Sequence, residues 1–314
     1  MSVFKTNKPG REHASWARAM LVGSAFVGFF AGAWLLSWIV LPPLKLFVRN
    51  DDCRVRLCQE LVQRAFVLFH AYMRMLRLID FDPAHNRLHL RLHRETQPAV
   101  IIANHPTLVD VTAIIAVLGQ LCCVVKGPLF TSPLTGPLLR ACGHILCHSS
   151  DLNSSIRTLQ EAEKRLRSGH NVLFFPEGSR SPPGEVGPFH HGAFAVAQRV
   201  ETPIRALFVH VDPPALIKGV PWYKFPQRLV RMRLYELPPL PAPSTATSPR
   251  KATRTAKILG RCHQAHYKEL VEQTKETDKN TGEMQHKAGE WPCTMRRRAP
   301  SHSKTISRNS SFNP

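Results

Sequence analysis

Apolar residues dominate one long segment near the start of the chain and define the first predicted element. No charged residue occurs within residues 19–44, and Arg18 and Lys45 bracket the run. A run of this length can cross a hydrocarbon core of about 30 Å, whereas the apolar stretch of a secretory signal peptide has only about 7–15 residues. Because Pro42-Pro43 would end or kink a helix, we predict a transmembrane or a re-entrant helix over residues 19–44.

A second segment, residues 52–78, carries apolar side chains at helical spacing with arginines between them. This pattern is typical of an amphipathic helix that lies in a membrane interface and extends basic side chains to lipid headgroups. A helix packed on the core of the domain would give the same pattern, and the two interpretations are compatible. The apolar positions are Cys58, Val62, Phe66, Phe69, Met73 and Leu76.

Beyond this segment the pattern alternates between strands and helices. Strict alternation of polar and apolar residues over Arg87–His93 predicts a strand with one exposed face, and the continuous apolar run Ala99–Ala103 predicts a buried central strand. Alternation of this kind predicts an α/β fold with a mixed, partly parallel sheet flanked by helices. Further helices are predicted at 107–118, 133–142, 151–168 and 192–199, and further strands at 121–125, 144–147, 171–175, 203–211 and 229–235.

The two ends of the chain differ in composition from the middle. A short basic leader occupies residues 1–18, and we predict that the central domain spans residues 85–240. Residues 241–314 begin as a linker rich in Pro, Ser and Thr, then include a predicted helix at 256–276 and a polar, basic tail that we predict to be disordered.

The net charge of +20 implies an anionic partner, either nucleic acid or an anionic membrane surface. The positive charge is spread over the leader, the second helix and the tail, and no recognised DNA- or RNA-binding motif occurs. We therefore predict membrane lipids as partners and no nucleic acid. The positive-inside rule does not fix the orientation, because basic residues flank the apolar segment on both sides.

Eight cysteines are scattered along the chain without the spacing of a disulfide scaffold, mostly in apolar surroundings, which favours a reducing compartment. Cys142, His144, Cys147 and His148 lie close together in the sequence. Their spacing matches no zinc pattern, and strand alternation would direct Cys147 and His148 to opposite faces. We therefore predict no metal site.

His105 directly follows the predicted central strand, and Asp110 lies five residues further on. If a helix begins at Pro106, Asp110 lies about one turn into it and can reach back to the imidazole. A carboxylate there fixes the tautomer and stabilises the imidazolium that forms when His105 accepts a proton. The alternative is that Thr107-x-x-Asp110 is an ordinary capping box and His105 an incidental loop residue.

The segment Phe175–Ser181, FPEGSRS, follows another buried strand. Pro176 ends the strand and Gly178 allows a tight turn. In a parallel sheet, Glu177 and Arg180 would then lie at the same edge as His105, where an arginine suits a phosphate or a carboxylate. Alone, this segment is only a polar turn; together with His105 and Asp110 it indicates a site.

The chain here resembles the glycerolipid acyltransferase family, whose best-known members acylate 1-acylglycerol-3-phosphate. The first family motif, Asn-His-x-x-x-x-Asp, is matched at Asn104, His105 and Asp110, and the third is matched by Phe175–Ser181. The later stretch Phe189–Phe194 is similar to the basic segment that follows the third motif, and Pro203-Ile204 fits the fourth.

The resemblance implies a glycerol-3-phosphate acyltransferase-like fold and a membrane-bound O-acyltransferase, a transferase of groups other than amino-acyl groups. His105 would be the general base and Asp110 its partner, and the substrate hydroxyl would attack an acyl thioester without an acyl-enzyme. The donor would be acyl-CoA or an acyl carrier protein, used as co-substrate rather than as a bound cofactor. The substrate-binding residues implied are Asn104, Glu177, Gly178, Ser179 and Arg180.

One departure concerns the second family motif, which usually ends in an arginine that contacts the acceptor phosphate. The corresponding stretch here is Gly143–Ser149, in which His148 or Ser149 replaces that arginine. The acceptor is therefore a lysophospholipid-like molecule whose headgroup stays open: a lysophosphatidate, another lysophospholipid, an aminolipid or a glycolipid intermediate.

The combined expectation is a single-pass or monotopic membrane enzyme of phospholipid biosynthesis, with its active domain on the cytoplasmic face. The alternative is a catalytically inactive family member that binds lipid or acts as a membrane scaffold. The intact pair of His105 and Asp110 favours the enzyme.

Overall fold

The computed structural model describes residues 16–90, 97–147, 152–182, 184–238 and 249–280. The chain enters as α1 (Trp16–Leu35), continues through a π-helical turn (Leu36–Val40), and leaves as α2 (Leu41–Phe47). In the described part of the chain, this continuous segment is the one helix long and apolar enough to cross a membrane, and only 17% of its most apolar stretch is buried. Pro42 and Pro43 lie in the first turn of α2, where the helix tolerates them.

Helix α3 (Asp51–Met75) corresponds to the predicted amphipathic helix. The Asn50 side chain accepts a hydrogen bond from Cys53 N at 2.9 Å and caps its start. Val62 and Met73 are buried in the core, whereas Leu68 on the outer side is 70% exposed. Packing of this helix on the domain is therefore confirmed, and its contact with a membrane interface stays a prediction.

The strand predicted over Arg87–His93 is wrong in the part that the structure describes. Residues Pro83–His89 form helix α4, and residues 91–96 lie outside the described residues. Asp82 caps this helix, because its Oδ1 accepts from Ala84 N at 2.9 Å, and Pro83 supplies a preset first helical φ angle. The local Asp-Pro start thus prevails over the alternation of polar and apolar residues.

Seven strands form one sheet in the order β1-β7-β6-β2-β5-β3-β4. Every adjacent pair is parallel except β6 and β7, which pair antiparallel. The predicted mixed, partly parallel sheet is confirmed, and most of its strand pairs are parallel. The strands are β1 (Ile79–Asp80), β2 (Val100–Ala103), β3 (Leu121–Lys126), β4 (Ile145–Cys147), β5 (Asn171–Phe174), β6 (Ile204–Asp212) and β7 (Val230–Glu236).

Helices cover both faces of this sheet. Side chains such as Ile101 and Leu173 point to what we call the first face, which packs against α1, α3 and α5. Their neighbours Ile102 and Val172 point to the second face, which packs against α8, α9 and α10. The remaining helices are α5 (Asp110–Leu118), α6 (Gly127–Thr131), α7 (Gly136–Ala141), α8 (Leu152–Arg167), α9 (Gly192–Val200) and α10 (Pro249–Asn280).

Helix α10 lies beyond the predicted domain boundary at residue 240 and packs on the sheet. Tyr267 on this helix is fully buried, and its hydroxyl donates to Leu207 O at 2.7 Å. The helix predicted at 256–276 therefore belongs to the packed domain, because its apolar stripe completes the second face. The start of the predicted linker, residues 241–248, lies outside the described residues, as do residues 281–314 and most of the basic leader.

Candidate active site

The two sequence motifs meet at one edge of the sheet. β2 and β5 are adjacent and parallel, with Ile102 opposite Phe174, so the segments that follow them leave the sheet side by side. The His105 ring stacks on Phe175, with ring centroids 4.3 Å apart and an interplanar angle of 27°. This edge, at the carboxyl ends of parallel strands, is where α/β sheets collect functional side chains.

Asp110 is fully buried and orients the His105 ring. Its Oδ2 accepts a hydrogen bond from His105 Nδ1 at 2.8 Å and from Thr107 N at 2.7 Å, and its Oδ1 accepts from the Thr107 hydroxyl at 2.5 Å. The carboxylate thus serves as a cap-like acceptor and as the partner of the imidazole at once. The two alternative interpretations of this segment are therefore both partly correct.

The predicted helix start is wrong, because α5 begins at Asp110 and not at Pro106. Residues 104–109 form an irregular link between β2 and α5. Asp110 is consequently the first helical residue, and it reaches His105 across this link. The hydrogen bonds of Asp110 to Thr107 stabilise the link in the shape that brings the two side chains together.

The outward nitrogen of His105 is available for chemistry. With Nδ1 donating to the Asp110 carboxylate, Nε2 carries a lone pair. Nε2 has no hydrogen-bond partner among the described residues, and the side chain is 19% exposed. An imidazole oriented by a buried carboxylate, with its second nitrogen open, can accept a proton from a bound hydroxyl.

Both carboxylate oxygens of Glu177 contact the protein, and its predicted role in binding substrate stays a prediction. Its Oε1 accepts from His105 N at 3.0 Å, and its Oε2 accepts from Gly187 N at 2.8 Å and from the Ser181 hydroxyl. Burial raises the pKa of this carboxyl, and the two backbone N–H donors act in the opposite direction. Glu177 therefore ties the two motif segments together and positions His105.

The side chain of Asn104 contacts the backbone of β6, and its predicted role in binding substrate also stays a prediction. Its Nδ2 donates to Val209 O at 2.9 Å and its Oδ1 accepts from Val209 N at 2.7 Å. The amide thus continues the pairing of β2 with β6 by one residue beyond Ala103, where β2 ends. An Asn is required because only an amide supplies a donor and an acceptor at this spacing.

The turn after Glu177 presents the remaining predicted residues. Gly178 has a φ of +66°, and its N–H donates to Phe175 O at 3.0 Å. Ser179 and Arg180 follow it, each partly exposed. Arg180 Nη1 donates to Leu216 O at 2.8 Å, and the other guanidinium N–H groups have no partner among the described residues. The turn therefore brings one incompletely paired cation to the edge that holds His105.

The loop between β6 and β7 connects this cation to the N-terminal helix. Leu216, whose carbonyl accepts from Arg180, lies in that loop, and further along it Trp222 lies 5.8 Å from Phe26 of α1 between ring centroids. Arg18 of α1 donates to Arg228 O at 3.0 Å. The apolar helix and the candidate site are thus joined by a single segment of chain.

Several positioning residues were not identified from the sequence. Thr107 and Ser181 each hold one of the two buried carboxylates, and Phe175 supports the imidazole ring. The Thr-x-x-Asp spacing gave a signal for Thr107, and Ser181 belongs to the third motif. Gly187 lies outside every motif considered, and no local pattern identifies its N–H as a partner of Glu177.

The cysteine and histidine array near residue 145 is engaged in the core. His144 Nδ1 accepts from Cys123 N at 2.9 Å, and burial lowers the pKa of this ring to about 4. Burial also raises the pKa of the Cys142 thiol well above its usual value. Residue 148 lies outside the described residues, which contain no group of three or more ligating side chains arranged for a metal ion.

Comparisons with known proteins agree with this geometry. Residues 84–209 match the family model described as Acyltransferase. The chain is 31% identical over 179 residues to mouse 1-acyl-sn-glycerol-3-phosphate acyltransferase alpha, covering 56% of this chain and 60% of that protein. It is 29% identical over 107 residues to a chloroplastic 1-acyl-sn-glycerol-3-phosphate acyltransferase of Brassica napus, covering 34% and 31%. The match thus spans about a third of the length of that relative.

A solved structure shows the same fold. The crystal structure of the 1-acyl-sn-glycerophosphate acyltransferase PlsC from Thermotoga maritima aligns with a TM-score of 0.53 and 18% identity, covering 83% of this chain and 97% of that one. The matched family segment, 84–209, contains His105, Asp110 and Phe175–Ser181. The chain is thus similar to 1-acyl-sn-glycerol-3-phosphate acyltransferases in sequence over part of its length, and it shares the fold of PlsC.

Proposed function

We propose that this chain transfers a fatty acyl group from an acyl thioester to the hydroxyl of a lysophospholipid-like acceptor at a membrane surface. The observation that carries the proposal is the 2.8 Å contact between His105 Nδ1 and Asp110 Oδ2, with Nε2 left open at the surface. The similar proteins described above are 1-acyl-sn-glycerol-3-phosphate acyltransferases, and this similarity supports the same reaction class.

In this mechanism His105 Nε2 takes the proton of the acceptor hydroxyl as its oxygen attacks the thioester carbonyl. Asp110 stabilises the imidazolium that results. The tetrahedral intermediate then collapses: the new ester C–O bond remains, the C–S bond breaks, and the departing thiolate takes the proton from His105. Each turnover thus converts one hydroxyl and one thioester into one ester and one thiol, and the enzyme returns to its starting state.

Arg180 is the side chain that we propose for the acceptor headgroup. Its guanidinium keeps N–H groups free beyond the one that donates to Leu216 O, and such a fork suits a phosphate. The relatives named above act on a phosphate-bearing acceptor, so a lysophosphatidate is the first acceptor to test. The altered Gly143–Ser149 stretch makes other lysolipid headgroups the next ones.

We propose that the helical segment on the first face of the sheet attaches the protein to the membrane. The helical segment Trp16–Phe47 exposes large apolar side chains over its whole length, among them Trp16 at 85% and Phe47 at 80%. A soluble domain rarely exposes so large an apolar surface without a partner. A lipid acceptor would then reach the site from this side.

The test is turnover with purified protein in detergent or vesicles, with labelled acyl-CoA and a panel of lysolipids. Removal of a general base typically lowers the rate by about 10² to 10⁴-fold, and we expect a loss of this size for His105→Ala. The exposed His85, outside both motifs, gives a matched control in His85→Ala, which should retain activity. Folding of both variants is checked by thermal denaturation.

Two outcomes would contradict the proposal in different ways. Full turnover by a folded His105→Ala variant would exclude His105 as the general base. Absence of turnover by the unaltered protein on every lysolipid and both donor types, combined with retained lysolipid binding, would support the alternative of an inactive lipid-binding protein.

A further inference from the structure

A group of cationic side chains adjoins the turn that carries Arg180, on the side of the second face. The loop that leads to α9 is fixed against this turn, because His190 N donates to Pro176 O at 2.7 Å. A Cβ atom placed on Gly178 would lie only 3.1 Å from the His190 ring. Gly178 therefore allows His190, an exposed side chain, to lie directly beside the candidate site.

Helix α10 contributes the other cations. A Cβ atom on Gly260 would lie 2.8 Å from His191 Nδ1, so the His191 ring rests directly on the helix backbone. Gln264 Nε2 donates to Gly187 O at 2.8 Å and fixes the helix to the same loop. Lys257 and Arg261 precede and follow Gly260 on this helix, and both are exposed. Residues four apart are neighbours on a helix surface.

Among the described residues, no carboxylate forms an ion pair with His190, Lys257 or Arg261. The pKa of His191 is lowered first by burial and then by the nearby side chains of Lys257, Arg261 and His190. Helix α9 begins next to His191 without an acidic residue in its first turn and without a side-chain cap. Its N-terminal partial positive charge therefore adds to that of the group.

The position of the group separates it from the lipid side of the molecule. Val22 and Ala25 of the apolar helix α1 pack on the first face, whereas Phe194 of α9 and Leu259 of α10 pack on the second. A lipid acceptor enters from the first face, so its headgroup does not need a cationic group on the second. The reaction also needs an acyl donor. The coenzyme A part of an acyl-CoA donor is water-soluble and anionic, and it would approach from the aqueous side.

We propose that His190, Lys257 and Arg261 form a subsite for the phosphate groups of coenzyme A in an acyl-CoA donor. The inference rests on the proposed acyl transfer, and it selects acyl-CoA from the two donor classes. Coenzyme A concentrates several negative charges on its diphosphate and its ribose phosphate, and a compact group of cations suits such a ligand. An acyl carrier protein would instead contact a wider surface.

The proposal is tested with the double variant Lys257→Glu/Arg261→Glu in the full chain. We expect the apparent KM for acyl-CoA to rise about tenfold or more, since two charge-assisted contacts become repulsive, with the KM for the lysolipid and kcat unchanged. Binding of coenzyme A and of adenosine 3′,5′-bisphosphate, measured by calorimetry, should weaken in parallel. Lys268→Glu makes the same kind of charge change two turns along α10 and should leave all three values within about twofold.

Each other outcome of this experiment overturns the assignment. An unchanged KM for acyl-CoA in a folded double variant removes the subsite, and a rise in the lysolipid KM alone reassigns the group to the acceptor. If only the KM for an acyl carrier protein rises, the donor class is wrong. Failure of the proposed function is distinguishable, because coenzyme A binding that depends on Lys257 and Arg261 is measured without turnover. Arg261→Lys, which keeps the charge, should retain most of the affinity and controls for folding.

Discussion

Both faces of the sheet pack against apolar side chains of their helices. The two layers of helices differ in the side chains that they expose on the outside of the protein. The helices of the first face, with the loop between β6 and β7, expose many large apolar side chains, whereas the exposed large apolar side chains described on α8 and α10 are Ile156 and Ile258. Those of the first group include Trp16, Met20, Val27, Phe30, Trp34, Trp38, Phe47, Leu68, Met75, Trp222 and Tyr223.

The difference shows that the outward-facing side chains of a helix indicate whether the helix faces lipid or water. Burial against the sheet is needed on both faces, because each must exclude water to stabilise the fold. Only the outward side chains respond to what lies beyond the protein. On the first face they suit a lipid phase; on the second they include the cations Lys257 and Arg261 and suit water and anions.

The largest effect should come from placing charge on the outer side of the first face. The pair Val27→Asp and Phe30→Asp puts two carboxylates on exposed positions of α1, and each costs about 2.5–3.5 kcal/mol near the centre of a membrane helix. We expect the double variant to leave vesicles in a flotation assay. Ile156→Asp with Ile258→Asp, the matched pair on the second face, should stay bound; equal loss from both pairs would remove the distinction between the faces.

Truncation of Tyr267 should have the next largest effect. The side chain is fully buried on the second face, and the change of a large buried aromatic residue to alanine typically costs about 3–5 kcal/mol. We expect Tyr267→Ala to lower the free energy of unfolding by this amount in urea titrations. Cys262→Ala, at an exposed position of the same helix, should change it by less than about 0.5 kcal/mol. A stable Tyr267→Ala variant would mean that α10 is not part of the cooperative domain.

Each face contains a buried histidine that should make the fold sensitive to acid. Burial lowers the pKa of His70, on the first face, and of His263, on the second, to about 4. The unfolded chain binds protons below about pH 6.5 and the folded chain does not, so stability is complete above that pH and is lost as the pH falls towards 4. The loss is on the order of 2–3 kcal/mol for one such group.

The measurement is the slope of unfolding free energy against pH between 6.5 and 4. We expect His70→Leu and His263→Leu to flatten this slope by similar amounts, because burial is the main cause of the shift on both faces. The exposed His85 provides the control variant His85→Leu. A slope that changes for one face only would show that the two interiors differ after all.

The smallest change in the free energy of unfolding is expected from a substitution within the sheet itself, between β2 and β6. Asn104 joins β2 to β6 through two hydrogen bonds to Val209, and each such bond contributes about 1 kcal/mol. We expect Asn104→Ala to lower the free energy of unfolding by about 1–2 kcal/mol without a change in lysolipid affinity of the folded enzyme. If affinity falls and stability does not, the role in substrate binding implied by the family resemblance is the better one.

The sequence was sufficient where one signal dominated. Buried strands such as Val100–Ala103 and Asn171–Phe174 are short, continuous apolar runs bounded by proline or polar residues, and they were located to within one residue. The contact of His105 with Asp110 followed from their spacing. The two motif segments were expected at the same edge of the sheet and they lie there, since parallel neighbours end together.

The sequence was insufficient where long-range contacts decide. Glu177 looks like a ligand-binding residue in its motif, and only the distant Gly187 N–H shows that both of its oxygens are occupied. The alternation of polar and apolar residues predicted a strand at residues 87–93, but residues Pro83–His89 form a helix whose start is capped by Asp82. The packing of α10 depends on residues 60 or more positions away, such as Leu207, which no local pattern reveals.

The antiparallel pairing of β6 with β7 has a consequence for the size of the folding unit. The segment matched by the family model ends at residue 209, inside β6. A chain cut there would lack β7 and leave the backbone of β6 unpaired along one side, which is a ready template for aggregation. It would also lack α10 and uncover Phe194 and Phe208. The smallest autonomously folding form of this domain therefore extends through α10, well past the segment matched by the family model.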